Sequence, residues 1–188
     1  MALTDHCDDQ ALRQQLVNVA RRMNSTGLNQ GTSGNLSARI EGGILVTPSS
    51  LPYEQMEADD LVALDLSGHP LREQQRRPSS EWRLHADVLN GRSEAMAVVH
   101  CHPIHATALA CHDRGIPAFH YMVAVAGGDE IRCAPYATFG TKELSENVVE
   151  ALGPRNACLL ARHGMVTLGK DLESALRVAV EVETLARM

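Results

Sequence analysis

Aromatic side chains are scarce in this chain: one tryptophan, three tyrosines and two phenylalanines in 188 residues. The core must therefore be built mostly from Ala, Leu and Val. Each of Tyr53, Trp82, Phe119, Tyr121, Tyr136 and Phe139 becomes a candidate for a particular task. Basic runs are lacking beyond Arg21-Arg22 and Arg76-Arg77, and the net charge is −6. That argues against a nucleic-acid partner, which needs a dense cationic face. No segment approaches the ~18 apolar residues of a membrane span. The opening Met1-Ala2-Leu3-Thr4-Asp5 runs into acids and not into the apolar stretch of a leader. CxxC spacing is absent too. Cys7, Cys101, Cys111, Cys133 and Cys158 are odd in number and read as reduced thiols, mostly small buried apolar groups, so a cytoplasmic protein is expected. The fingerprints GxGxxG and GxxxxGK[ST] are missing.

What is present reads as one globular domain over 1–188, with no repeat, linker or low-complexity stretch. Ala11, Leu12, Leu16, Val19, Ala20 and Met23 recur at helical spacing, predicting a helix capped by Asp8 or Asp9 and running to about Ser25. Leu36–Ile40 alternates as a strand, Gly42-Gly43 turns it into a second at Ile44–Val46, and Leu61–Leu66 makes a third. A helix is predicted from Ser79-Ser80-Glu81 through Leu89, then a strand over 96–102 and a helix carrying Ala106, Leu109 and Ala110. A short helix ends at Gly127-Gly128. Another runs from Thr141 or Lys142 to Leu152, a strand covers 157–161, and a last helix extends from Asp171 towards Met188. Hairpin-connected strands flanked by helices give an α/β fold: a single domain with a central mixed or mostly antiparallel sheet covered by helices on both faces.

The most informative pattern is an apolar run followed by histidine, which occurs twice. Ala97-Val98-Val99 leads into His100-Cys101-His102, and Ala157–Ala161 leads to His163-Gly164. Residues i and i+2 of a strand share a face, so His100 and His102 can aim two imidazoles at one point while Cys101 faces the core. A third histidine from another strand completes three nitrogen ligands with one position open, the pattern of a catalytic zinc. Twenty residues upstream, Pro78-Ser79-Ser80-Glu81 offers two hydroxyls at a helix start, where free amides suit a phosphate. Taken alone this stretch reads more readily as a simple N-cap, with Ser80 the cap and Glu81 a first-turn acid. Glu81 adds a carboxylate that can ligate a metal or act as a base. Gly31-Thr32-Ser33-Gly34-Asn35 and Thr47-Pro48-Ser49-Ser50 are two further turns rich in hydroxyls and amides, material for cradling an anion. His6, His69, His85, His105, His112 and His120 show no such pattern and are read as surface, helix-face or core positions.

These segments together resemble the class II aldolase/adducin family. The likeness runs in order through Asn29–Ser37, Thr47–Glu54, Pro78–Arg83, Val99–His102, His120-Tyr121-Met122, Ala126-Gly127-Gly128, Cys133–Thr141 and Arg162-His163-Gly164. Within the family it is strongest to the aldolases that cleave ketose 1-phosphates such as L-fuculose 1-phosphate. The resemblance implies that His100, His102 and His163 hold zinc, and that Glu81 ligates it at rest and serves as acid/base. It assigns Asn35, Ser49, Ser50, Ser79 and Ser80 to phosphate binding. It makes Tyr121, from a neighbouring subunit, the group handling the aldehyde-oxygen proton, and Phe139 a wall of the aldehyde pocket.

It further implies a homotetramer with sites at subunit interfaces, acting on a small phosphorylated sugar. Zinc as Lewis acid would polarise the substrate carbonyl, and cleavage would release dihydroxyacetone phosphate and a short aldehyde such as L-lactaldehyde. Two departures stand out. Position 50 is serine where the aldolase pattern has glycine, and the resembling aldolases carry a tail with a further tyrosine beyond the position of Met188. Other expectations on the same fold are aldol cleavage of 5-deoxy- or methylthio-pentulose phosphates in nucleoside salvage, a sugar-phosphate 4-epimerase, a methylthio-ribulose phosphate dehydratase, and an adducin-like interaction module. Epimerases place aspartate at the position of Glu81, and the adducin-like module would have lost the metal ligands that this chain retains.

Overall fold

Short, mostly apolar strands build one seven-stranded sheet in this computed structural model, which describes residues 5–188. The strands are β1 (Asn35–Ile40), β2 (Gly43–Val46), β3 (Val62–Asp65), β4 (Ala97–Cys101), β5 (Cys133–Ala134), β6 (Ala157–Leu160) and β7 (Gly164–Gly169). Their spatial order is β3-β2-β1-β4-β7-β6-β5. Every neighbouring pair is antiparallel except β5 and β6, so the sheet is mixed and mostly antiparallel, as expected. Two pieces were not legible beforehand. β7, bounded by glycine at each end, reads as loop in sequence yet is a central strand beside β4, and β5 is only a two-residue pairing.

The helices are α1 (Asp5–Ser25), α2 (Trp82–Gly91), α3 (Ile104–Cys111), α4 (Lys142–Leu152) and α5 (Leu172–Arg187), with short 3₁₀ turns at Ala58–Asp60 and Tyr121–Ala126. α1 begins at Asp5, ahead of the expected cap at Asp8 or Asp9. Met1–Thr4, on which the leader reading rests, lie outside the described residues. Three other helix ends follow local chemistry. Thr141 caps α4 through the Leu144 amide, Asp171 caps α5 through the Ser174 amide, and Gly127 ends the 121–126 turn at φ 82°.

Two apolar layers cover the sheet. Leu36, Ala38, Ala97, Val99, Cys101 and Leu159 pack on one face with α1, α3 and α5. Ile44, Val46, Val98, Cys158, Leu160 and Val166 pack on the other with α2 and α4. The period of two then decides where the polar residues go. Asn35 and Ser37 on β1, and His100 on β4, alternate with core residues of the first layer and so face α2. Asn35 is the cross-strand partner of His100. A one-residue slip would carry His100 and its buried neighbours to the wrong layer, so burial of the flanking Val and Leu side chains, about 1.5–3 kcal/mol each, also sets the register of the site.

Candidate active site

The site forms where the ends of β4 and β1, the β6–β7 turn and the start of α2 meet. The imidazoles of His100, His102 and His163 stand mutually edge-on, with centroids 4.8, 4.8 and 4.9 Å apart and interplanar angles of 71–73°. One ligating atom from each lies within 4.8 Å of the others. His100 Nδ1 is 2.9 Å from the Met165 carbonyl, a contact that places the proton on Nδ1 and leaves the Nε2 lone pair for the cluster. His100 Nε2 and His102 Nε2 are 2.9 Å apart. Two lone pairs at that distance repel unless a cation lies between them or one nitrogen is protonated.

Glu81 sits over this trio. Its Oε2 is 3.2 Å from His100 Nε2 and accepts a hydrogen bond from Asn35 Nδ2 at 2.9 Å. Its Oε1, 3.4 Å from His163 Nε2, is buried and has no hydrogen-bond partner. Burial alone would raise this carboxyl, but His100, His163 and the Asn35 amide outweigh it and hold it well below the usual carboxylate range. For His100 burial is overcome by Glu81, and the imidazole is raised. Burial and the neighbouring His100 push His102 down to about 3 and His163 down to about 4. Three converging imidazoles, an orphaned carboxylate oxygen and an open side towards the cleft fit a divalent ion of the kind imidazole binds.

Local backbone constraints hold the three histidines in place. His163 follows Arg162, which adopts φ 56° in the tight β6–β7 turn and is fixed by a hydrogen bond to the Ala110 carbonyl and an ion pair to Asp113 at 2.7 Å. Gly164 must be glycine: a Cβ there would come 2.5 Å from the Cys101 carbonyl oxygen and 2.6 Å from the His102 ring. Asn29, which sequence reasoning passed over, is buried and accepts hydrogen bonds from the His102 amide at 3.3 Å and the Ser33 hydroxyl at 3.1 Å. The buried Tyr53 hydroxyl donates to the Gly34 carbonyl.

Beside the histidines opens a cleft of about 380 Å³, lined by Thr32, Ser33, Gly34, Asn35, Pro48, Ser49, Ser50, Ser79, Ser80, Glu81, His102, Phe139 and His163. All three hydroxyl-rich turns therefore converge. Backbone bonds tie two of them together, Ser79 N to Thr47 O and Ser49 N to Arg77 O, both 3.0 Å. The simple N-cap reading of Ser80 is corrected: α2 starts at Trp82, Glu81 occupies the cap position, and Ser79 Oγ accepts from the Glu81 amide at 3.3 Å. Ser80 is left exposed at the cleft. Ser50 adopts φ 59°, with its hydroxyl 3.3 Å from that of Ser49.

The sequence-predicted residues do not all meet in one chain. Tyr121 is 80% exposed on the 121–126 turn and lies outside the cleft lining, whereas Phe139, 62% exposed, stands at its wall. Among the histidines set aside, His105 pairs with Glu183 and His69 with Asp65, away from the cleft. His85, set aside for want of a partner pattern, has buried partners. It is wholly buried on α2 one turn from Glu81, with Nδ1 2.8 Å from the Ser37 hydroxyl and Nε2 against Asn35 Oδ1. Burial and the nearby His100, against the opposing pull of Glu81, push it down to about 3, so it is neutral. The i,i+4 spacing of Glu81 and His85 and the i,i+2 spacing of Asn35 and Ser37 were the available signals.

Comparison with known proteins agrees with this geometry. Residues 14–188 match the family of the class II aldolase and adducin N-terminal domain. The chain is 51% identical over 176 residues to the 5-methylthioribulose-1-phosphate/5-deoxyribulose-1-phosphate aldolase of Rhodospirillum rubrum, covering 94% of this chain and 79% of that one. It is 48% identical over 177 residues to the L-fuculose phosphate aldolase of Escherichia coli, covering 94% and 81%. A solved L-fuculose 1-phosphate aldolase superposes with a TM-score of 0.90 at 38% identity, over 100% of this chain and 85% of the other. The fold and the three-histidine site define a metal-dependent aldolase type of protein, and the chain belongs to the class II aldolase and adducin family.

Proposed function

We propose that this protein is a zinc-dependent aldehyde-lyase that cleaves a ketose 1-phosphate to dihydroxyacetone phosphate and a short aldehyde. The observation that carries the reading is the convergence of His100, His102, His163 and Glu81, of which His102, His163 and Glu81 line a cleft that also presents Ser49, Ser50, Ser79 and Ser80. The three histidines would hold zinc, with Glu81 as a further ligand at rest. When bound, zinc supplies Lewis-acid polarisation of the substrate carbonyl and charge stabilisation as the carbon–carbon bond breaks.

The chain's own groups do the rest. Ser79, Ser80 and the Ser49-Ser50 turn hold the phosphate, and Asn35 directs its remaining amide hydrogen to the same region. Glu81 Oε1, free of hydrogen bonds, carries the proton to and from the substrate carbon next to the carbonyl. Tyr121 of a neighbouring subunit takes the proton from the hydroxyl that becomes the aldehyde, and Phe139 shapes the space for that aldehyde. This arrangement calls for a homotetramer with shared sites. The buried thiols of Cys101 and Cys158, raised by burial, suit a reducing cytoplasm.

The test is release of dihydroxyacetone phosphate from a panel of ketose 1-phosphates: L-fuculose, 5-deoxyribulose and 5-methylthioribulose 1-phosphates, each beside its unphosphorylated sugar. Zinc-dependent cleavage of at least one phosphate ester, with the free sugars inert, is expected. Isomerisation without carbon–carbon cleavage would identify a 4-epimerase, and equal turnover of the free sugar would refute the phosphate pocket.

A further inference from the structure

His85 has no exposed surface, yet both its ring nitrogens are engaged, and the partners lie on two different strand positions of β1. The pattern of donors can be worked out from one end. An ionised Glu81 only accepts, so the group of Asn35 facing Oε2 at 2.9 Å must be the amide NH₂. The Asn35 carbonyl oxygen then faces His85 Nε2, which must carry the proton. With Nε2 protonated in a neutral ring, Nδ1 can only accept, and the Ser37 hydroxyl donates to it at 2.8 Å. For an ionised Glu81 and a neutral His85 ring, every other assignment sets two acceptors or two donors against each other in a buried setting, at a cost of roughly 1–3 kcal/mol for each unmade bond. Ser37, His85, Asn35 and Glu81 therefore form one chain of hydrogen bonds pointing in a single direction.

We infer that His85 is a positioning residue for Glu81, acting through Asn35. Its Nε2–H locks the Asn35 amide so that the NH₂ holds one oxygen of the carboxylate. Oε1 is left unbonded and able to move a proton, while Oε2 remains tethered. The same lock bears on Asn35 as a phosphate ligand, because one of its two amide hydrogens is already committed to Glu81. The positioning role rests on the proposed proton transfer by Glu81; the hydrogen-bond direction stands without it.

Two measurements test this separately. In uniformly ¹⁵N-labelled, metal-free protein at neutral pH, long-range ¹H–¹⁵N correlations should report His85 as the neutral Nε2–H tautomer. Ser37→Ala should move its Nδ1 resonance, and Asn35→Leu its Nε2 resonance. An Nδ1–H tautomer would overturn the assignment. The second measurement is exchange of a carbon-bound hydrogen of dihydroxyacetone phosphate with solvent deuterium, together with kcat and KM for cleavage. His85→Leu should lower exchange and kcat about 10–100-fold, the usual effect of losing such an outer partner, with KM within about twofold. His85→Gln, which can present an amide N–H where Nε2 was, should recover most of the exchange.

Wild-type exchange unaltered in a folded His85→Leu protein would refute the positioning role. Absence of exchange in the wild type would instead sink the aldolase reading. Should His85→Leu fail to fold, the tautomer and the His85→Gln exchange rate decide.

Discussion

Glu81 uses its two oxygens differently, and that asymmetry leads to a sharp expectation. Oε2 is held by Asn35 and lies beside His100, while Oε1 is buried without a hydrogen bond. Glu81→Gln preserves size and the three imidazoles, so zinc content by elemental analysis should stay near that of the wild type. Dihydroxyacetone phosphate release should fall about 10²–10⁴-fold, the range for a lost acid/base group. A variant cleaving at the wild-type rate would reduce Glu81 to a helix-cap acid. Ser50 makes a second residue-scale case. At φ 59° a side chain costs about 1–2 kcal/mol that glycine does not incur, on a turn lining the cleft. Ser50→Gly should therefore raise the melting temperature while weakening binding of inorganic phosphate severalfold, read by calorimetry. If phosphate affinity is unchanged, the hydroxyl takes no part in the pocket.

At the scale of elements, the β6–β7 hairpin is the least forgiving piece. It delivers His163 from a turn whose Arg162 is in the left-handed region, and it packs Gly164 against the Cys101 carbonyl and the His102 ring. Gly164→Ala should cost about 1–3 kcal/mol of stability as overpacking. It should also weaken zinc binding by about tenfold or more, because the ring displaced belongs to the proposed ligand set. Competition with a chromogenic chelator measures the second effect, and unchanged affinity would show that the ring accommodates the methyl. His100-x-His102 was legible because it extends an apolar strand with a fixed period. The strand Gly164–Gly169 was not. Its residues acquire strand character only by pairing with β4 and β6, and its terminal glycines carry the signature of a turn. The start of α2 was likewise blurred, since Ser79, Ser80 and Glu81 all suit a cap and only the folded backbone distinguishes them.

For the whole molecule, the position of Tyr121 matters most. It is exposed and lies outside the cleft lining of its own chain, so the proposed function requires a neighbouring subunit to bring it to a site. Subunits carrying Tyr121→Phe and subunits carrying Glu81→Gln, each nearly inactive alone, should regain activity when refolded together, because mixed interfaces contain one intact set of groups. Verified mixed oligomers with no recovery would remove shared sites from the scheme.

Some of this was determined by sequence alone. The pairing of His100 with His102, the three hydroxyl-rich turns, the capped helices α4 and α5 and the mostly antiparallel sheet all follow from local periodicity and turn chemistry, which act over a few residues. The tertiary structure decided which of these pieces touch. It brought β1 beside β4 in the register that sets Asn35 opposite His100, laid α2 over that face, and so joined Ser37, His85, Asn35 and Glu81 across 50 residues of chain. No local pattern marks a buried histidine as part of such a chain. Its role depends on donors and acceptors that only strand pairing and helix packing bring within 3 Å of one another.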